Sequence, residues 1–323
     1  MDNIFDFAEK LIDRYRNFTS SFAHPRAKDI SDCITRAYGE RRFWPDALIQ
    51  INPNFKKSLN VKELADEGAI EPECAEIFQA GKKDVPPNPQ PITLYQHQMS
   101  ALAMVRGNKS YVVTTGTGSG KSLAFFIPII NRIIREKRQN AKPRIRAIIV
   151  YPMNALANSQ MEEIHKFLDG SDAIRVARYT GQETEDERRE IKNNPPDILL
   201  TNYVMLDLIL TRYQQDHEII KAAEHLEFLV LDELHTYRGR QGADVAMLVR
   251  RLKSQLNASN LLCIGTSATM ASVGSSEDRK TAIAKVASKL FDTIVEPENV
   301  IMEVLEYVTA KYCCSTPTAT PNI

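Results

Sequence analysis

Apolar and polar positions follow two patterns along this chain. From Tyr111 to Phe291, short apolar runs rich in Val and Ile alternate with longer segments whose apolar residues recur every three or four positions. This predicts strands over 111–115, 145–150, 174–179, 197–201, 228–231 and 261–265. It predicts helices over 121–138, 154–168, 183–193, 203–213, 242–257 and 277–291. Strands that are apolar throughout and separated by helices imply a parallel sheet covered on both faces. In such α/β sheets, ligands gather beyond the carboxyl ends of the strands.

Residues 1–84 read as helical. Ile4, Phe5, Phe7, Ala8, Leu11, Ile12 and Tyr15 share one helical face, and two short helices are expected around Gly68. Phe43, Trp44 and Phe55 are expected to pack rather than to stack on bases. The run Asp84-Val85-Pro86-Pro87-Asn88-Pro89-Gln90-Pro91 reads as a stiff extended connector. The expected division is therefore an accessory region over 1–84, a linker over 85–91, an α/β domain over 92–295 and a partly disordered tail over 296–323.

The chain has 323 residues and a formal charge of zero, so no global basic field points to nucleic acid. A basic cluster (Arg132, Arg135, Lys137, Arg138, Lys142, Arg144, Arg146) falls between a helix and a strand and is expected to be a solvated end. Five cysteines form no C-x-x-C pair, which argues against a zinc site and a disulfide framework. There is no signal-peptide core and no apolar run of membrane-spanning length. A cytoplasmic protein with no membrane partner is expected.

The chemistry concentrates at strand ends. The strand at 111–115 runs into Thr115-Gly116-Thr117-Gly118-Ser119-Gly120-Lys121-Ser122, and a helix follows. A strand, a glycine-rich turn and a helix start make a phosphate cradle, although a bare turn and cap would share some of these residues. Backbone N–H groups and the helix N-terminus face the phosphates. Lys121 reaches the β- and γ-phosphates, and the Ser122 hydroxyl suits Mg²⁺. Gln98, one helix upstream, has the geometry to read adenine N6 and N7. The strand at 228–231 ends in Asp232-Glu233. Paired carboxylates there suit a metal-holding Asp232 and a Glu233 that acts as general base on water.

Together, Thr115 to Ser122, Asp232-Glu233-Leu234-His235 and Ser267-Ala268-Thr269 resemble motifs I, II and III of superfamily 2 DEAD/DEAH-box helicases. Gln98 resembles the Q-motif glutamine, and Tyr151 to Gln160 resembles motif Ia. The run from Asp232 to Gly242 followed by Arg250-Arg251-Leu252 is similar to the YprA/MrfA-like helicases of DNA repair and phage defence. The resemblance spans about residues 92–292. It implies a RecA-like lobe using ATP and Mg²⁺, with Asn154, Thr180, Gly181, Thr201 and Asn202 tracking the phosphates of single-stranded DNA. It further implies that His235, Ser267 and Thr269 couple the state of the γ-phosphate to the grip on the strand. Such helicases need two lobes, and only the first can be located, so the resemblance implies an ATPase lobe served by a second lobe or a partner protein. A catalytically silent nucleotide- or DNA-binding subunit is the alternative. A kinase or GTPase on the same loop is disfavoured by the Asp232 and Ser267 elements.

Overall fold

A computed structural model describes residues 3–22, 25–40 and 54–306, apart from residues 83, 85, 117, 140, 141, 170 and 269–274. Phe43, Trp44, Thr117, Thr269 and the tail beyond Glu306 lie outside the described residues. The chain divides into two compact units, 1–53 and 54–323. The first contains α1 (Ile4–Ser20) and α2 (Lys28–Gly39). On α1, Phe7, Leu11 and Tyr15 are exposed.

The second unit is built on seven parallel strands: β1 (Tyr111–Thr114), β2 (Ala147–Tyr151), β3 (Val176–Arg178), β4 (Ile198–Asn202), β5 (Phe228–Leu231), β6 (Leu262–Ser267) and β7 (Val300–Met302). Their spatial order is β7-β1-β6-β5-β2-β4-β3. The six predicted strands are all present. The seventh comes from a stretch expected to belong to the tail, and it pairs in register with β1, Met302 opposite Thr114. Three residues carry too little periodic signal to be read alone; the neighbouring edge decides their conformation.

Side chains alternate across each strand, so each strand feeds two cores. Ala147, Ile149 and Tyr151 join the core beneath α3 (Val61–Asp66), α4 (Pro72–Ile77), α5 (Gln96–Arg106), α6 (Leu123–Lys137) and α7 (Asn154–Leu168). Ile148 and Val150 join the opposite one. That core lies beneath α8 (Glu185–Asn193), α9 (Tyr203–Thr211), α10 (Tyr213–Ala222), α11 (Gly239–Gln255) and α12 (Ser276–Phe291). Because both faces are covered, the strands need no polar side, which is why they read as unbroken apolar runs.

The division between units falls at Pro53, not in the proline-rich stretch. Cys74 and Ile77 of α4 belong to the same core as Ile127 of α6, and the Glu71 amide donates to Asn131 Oδ1 at 2.7 Å. The proline-rich stretch closes a loop inside the second unit, with Gln90–Pro91 pairing antiparallel to Gln79–Ala80. The basic cluster is not simply solvated either. Arg135 and Arg138 pair with Glu71, Arg144 with Glu136 and Glu227, and Arg146 is fully buried between Glu136 and Asp197, 2.9 Å from each. Besides the nearby Glu136, the acids that neutralise it (Glu71, Glu227 and Asp197) lie about 50 to 80 residues away in sequence, and no local pattern shows those pairings. Among the described residues, no helix is long and apolar enough to cross a membrane.

Candidate functional site

The polar turns sit where the parallel sheet predicts, at the carboxyl ends of β1, β5, β6, β2, β4 and β3. Since β1, β6 and β5 are adjacent, the glycine-rich loop and the acidic pair meet although more than a hundred residues separate them. Lys121 Nζ lies 4.0 Å from Glu233 Oε1 and donates to the Thr115 carbonyl at 3.3 Å. At this spacing the ammonium and the carboxylate attract each other across the two strand tips without a hydrogen bond between them.

The loop is held from several sides. The Thr115 and Ser119 hydroxyls bond at 2.6 Å, both buried. Gln98 Nε2 donates to the Gly120 carbonyl at 2.9 Å, and its Oε1 accepts from the Tyr95 amide at 2.8 Å. The Gln98 amide is thus engaged at both ends with protein. Gly120 has φ +69°, and a Cβ there would lie 2.7 Å from Gln98 Nε2, so the turn and the glutamine together require glycine. Ser122 Oγ donates to Gln160 Oε1 at 2.6 Å, tying the loop to α7.

Two residues that hold this loop were not singled out by the sequence patterns. His97 Nε2 lies 2.9 Å from the Ser119 carbonyl, an acceptor, so that nitrogen carries the proton. Its buried Nδ1 has no partner among the described residues, and burial lowers the imidazole pKa. Rings of Tyr95 and Phe55 pack against it, with centroids 5.7 and 5.8 Å away. Glu303, just past β7, accepts from the Gly116 amide at 2.8 Å. His97 could have been suspected from its place beside Gln98. Glu303 offered no signal, because it reaches the loop only through β7.

At the acidic strand end, Asp232 Oδ1 accepts a hydrogen bond from Thr266 Oγ1 of β6. Burial, the largest effect on it, raises the Asp232 pKa, with Glu233 adding to the rise. Glu233 adopts φ +52°, ψ +56°, a left-handed conformation costing on the order of 1–3 kcal/mol for a non-glycine residue. Its Oε2 lies 3.1 Å from His235 Nδ1 and 3.3 Å from the Ala268 amide. His235 Nδ1 is also 3.2 Å from Ser267 Oγ. Gly265 lets Leu234 close over β6, since a Cβ there would lie 2.3 Å from Leu234 Cδ1. Asp232, Glu233, His235 and Ser267 therefore form one connected cluster.

The remaining strand ends make a second cluster. Asn202 Nδ2 donates to Asn154 Oδ1 at 2.6 Å, while Asn202 Oδ1 caps α9 through the Met205 amide at 2.7 Å. Thr201 Oγ1 donates to the Tyr179 carbonyl at 2.6 Å. The Thr180 and Gly181 amides both donate to Glu183 Oε2 at 2.8 Å, and Thr180 Oγ1 donates to Oε1 at 3.0 Å. Burial opposes the charge on Glu183, but these donors and Arg178 outweigh it and lower its pKa. The structure brings Asn154, Thr180, Gly181, Thr201 and Asn202 together at neighbouring strand ends. It also shows that a buried carboxylate already takes the donors of the Thr180-Gly181 turn.

A strand–loop–helix cradle facing an acidic strand tip across a parallel sheet defines the RecA-like class of nucleotide-binding α/β folds. The family profile of the DEAD/DEAH box helicases matches residues 95–275, and this chain belongs to that family. It is similar to "Druantia protein DruE" of Escherichia coli (28% identical, covering 62% of this chain and 17% of that one). It is also similar to "Uncharacterized ATP-dependent helicase YprA" of Bacillus subtilis (34% identical, covering 55% of this chain and 23% of YprA). Among solved structures, the DUF1998 helicase MrfA bound to DNA and AMPPNP superposes with TM-score 0.60 at 25% identity, covering 83% of this chain and 33% of MrfA. The chain thus spans less than a quarter of these curated relatives and a third of the solved one.

Proposed function

We propose that this chain is the ATP-binding lobe of a helicase that couples ATP hydrolysis to movement along nucleic acid, with DNA as the substrate. The observation that carries it is the 4.0 Å approach of Lys121 to Glu233, which sets the phosphate-binding cation and the general base about one site. MrfA, crystallised with DNA and AMPPNP, supports the same reading.

In this reading the loop from Thr115 to Ser122 cradles the phosphates, Lys121 neutralises the β- and γ-oxygens, and Gln98 turns to adenine once its bond to Gly120 is released. Ser122 Oγ and the Asp232 carboxylate are hard oxygen donors and fit Mg²⁺, which is held by one or two protein ligands with phosphate and water completing its shell. When bound, Mg²⁺ would offset phosphate charge and draw Asp232 to its ionised form. Glu233 orients and deprotonates the attacking water. His235, in contact with both Glu233 and Ser267, carries the phosphate state across to the strand-binding side, together with Ser267 and Thr269. A second lobe, in the same polypeptide or from a partner, completes the transition-state charge stabilisation.

Glu233→Gln tests the assignment. It keeps the shape of the side chain but removes the base, so ATP binding should persist while DNA-stimulated hydrolysis falls about 10²–10⁴-fold. Hydrolysis at the wild-type rate would remove Glu233 from the mechanism. Wild-type protein that binds ATP but hydrolyses none, even with a second-lobe protein present, would point to a silent binding subunit.

A further inference from the structure

Beside the Thr180-Gly181 turn the surface opens into a cavity of about 660 Å³ between α8, α9 and the start of α10. Four cations line it, Arg188, Arg189, Lys192 and Arg212, against two carboxylates, Glu185 and Asp216. Both carboxylates are engaged. Asp216 Oδ1 accepts from Tyr179 Oη at 2.8 Å and lies 3.5 Å from Lys192 Nζ, and Glu185 lies 3.3 Å from Arg188.

Of the cations, Arg188 pairs with Glu185, Arg189 with Asp186 at 3.0 Å and Lys192 with Asp216, and the exception is Arg212. Arg212 is exposed and makes no ion pair among the described residues. Arg188 Nε is shielded from solvent without a hydrogen-bond partner among the described residues. Arg188 Nη2 donates to the Gly181 carbonyl at 3.2 Å, so the cavity is continuous with the turn. Met205 and Leu208 supply apolar wall.

We propose that this cavity seats a phosphodiester of the bound nucleic-acid strand at the β3 edge of the sheet, an inference that rests on the strand-binding reading above. The turn cannot offer its own N–H groups to a phosphate while Glu183 holds them. The positive groups that remain next to it are the guanidinium groups of this cavity. With Asp186 counted, the four cations still exceed the carboxylates by one, the excess being the exposed Arg212, and an arginine fork suits phosphate oxygens. Interactions of this kind fix a backbone without reading its sequence. The turn then acts as a rigid edge that aims the strand into the cavity.

The test uses the 323-residue chain and fluorescently labelled oligothymidylates of increasing length, titrated over a range of salt. The double variant Arg189→Gln/Arg212→Gln changes two exposed side chains and leaves the ATP site intact. For strands long enough to reach the cavity, affinity should fall roughly tenfold near physiological salt. The slope of log affinity against log salt should become shallower by about 0.7 for each phosphate no longer neutralised. Strands too short to reach it should bind both proteins equally, and Arg189→Lys/Arg212→Lys should restore much of the affinity. Equal affinity and slope for wild type and the Gln variant at every length would overturn the proposal. So would displacement of the strand by millimolar inorganic phosphate at matched ionic strength, which would mark a free-anion site. A wild-type chain that binds no strand at all would instead overturn the strand-binding reading itself.

Discussion

Two strand-end turns in this molecule use similar residues for opposite ends. The loop from Gly118 to Ser122 and the turn at Thr180-Gly181 each follow a buried parallel strand, and each contains glycine at positive φ. Among the described residues, the backbone N–H groups of Gly118, Ser119, Gly120, Lys121 and Ser122 make no hydrogen bond to protein, while the loop's carbonyls are held by His97 and Gln98. In the other turn both N–H groups and the hydroxyl are satisfied by Glu183. Exposed donors keep their interactions for an incoming anion, whereas donors already matched to a carboxylate make the turn rigid instead. A glycine turn at a strand tip is therefore not by itself an anion site; what its N–H groups face decides.

The comparison can be broken most directly at Lys121. Lys121→Ala removes a side chain whose polar distances to protein are long, at 3.3 and 4.0 Å. It should abolish ATP binding, a loss on the order of 100-fold or more by calorimetry, while unfolding free energy moves by less than ~0.5 kcal/mol. Large destabilisation would mean that the lysine holds the fold, and the contrast with the second turn would fail.

Glu183→Ala should do the reverse. It leaves the Thr180 and Gly181 amides unpaired, and a cost of ~2–3 kcal/mol in denaturant unfolding is expected. ATP affinity in the absence of nucleic acid should be unchanged. An unaffected midpoint would show that water replaces the carboxylate without loss, so the turn would be as open as the phosphate loop.

The smallest expected effect concerns Asp232. Its folded pKa is raised by burial, so its contribution to stability is present below the unfolded carboxylate pKa and is lost as pH rises through the folded value. Asp232→Asn should therefore raise the melting temperature of the nucleotide-free protein by a few degrees at pH 8, with little change at pH 4, while Mg²⁺-dependent hydrolysis is lost. A lower melting temperature at pH 8 would show that the ionised carboxylate and its bond from Thr266 stabilise the free protein.

Much of the fold was legible because its signal is local. Unbroken apolar runs such as Phe228 to Leu231 and periodic helices such as Asn154 to Leu168 meet their burial requirements within a few residues. The Gly120-Lys121-Ser122 and Asp232-Glu233 signatures were legible as short motifs for a related reason: each is a strand end followed closely by its polar side chains. Sequence patterns failed where a partner lay far away in the chain or within an otherwise ordinary turn. Glu303 on the Gly116 amide, Thr266 on Asp232 and the acids Glu71, Glu227 and Asp197 on the basic cluster are distant partners, and Glu183 closing its turn is the local one.

The sequence alone thus determined the alternation of strands and helices, the parallel sheet and the position of the two polar strand tips, since periodicity and backbone preference act over short spans. The tertiary structure alone decided the strand order that puts β6 between β1 and β5, the addition of β7 and the division at Pro53. It also decided which turn donors stay open. Those outcomes depend on which polar groups meet after the sheet closes, and desolvation makes such pairings binding only once the neighbours are in place.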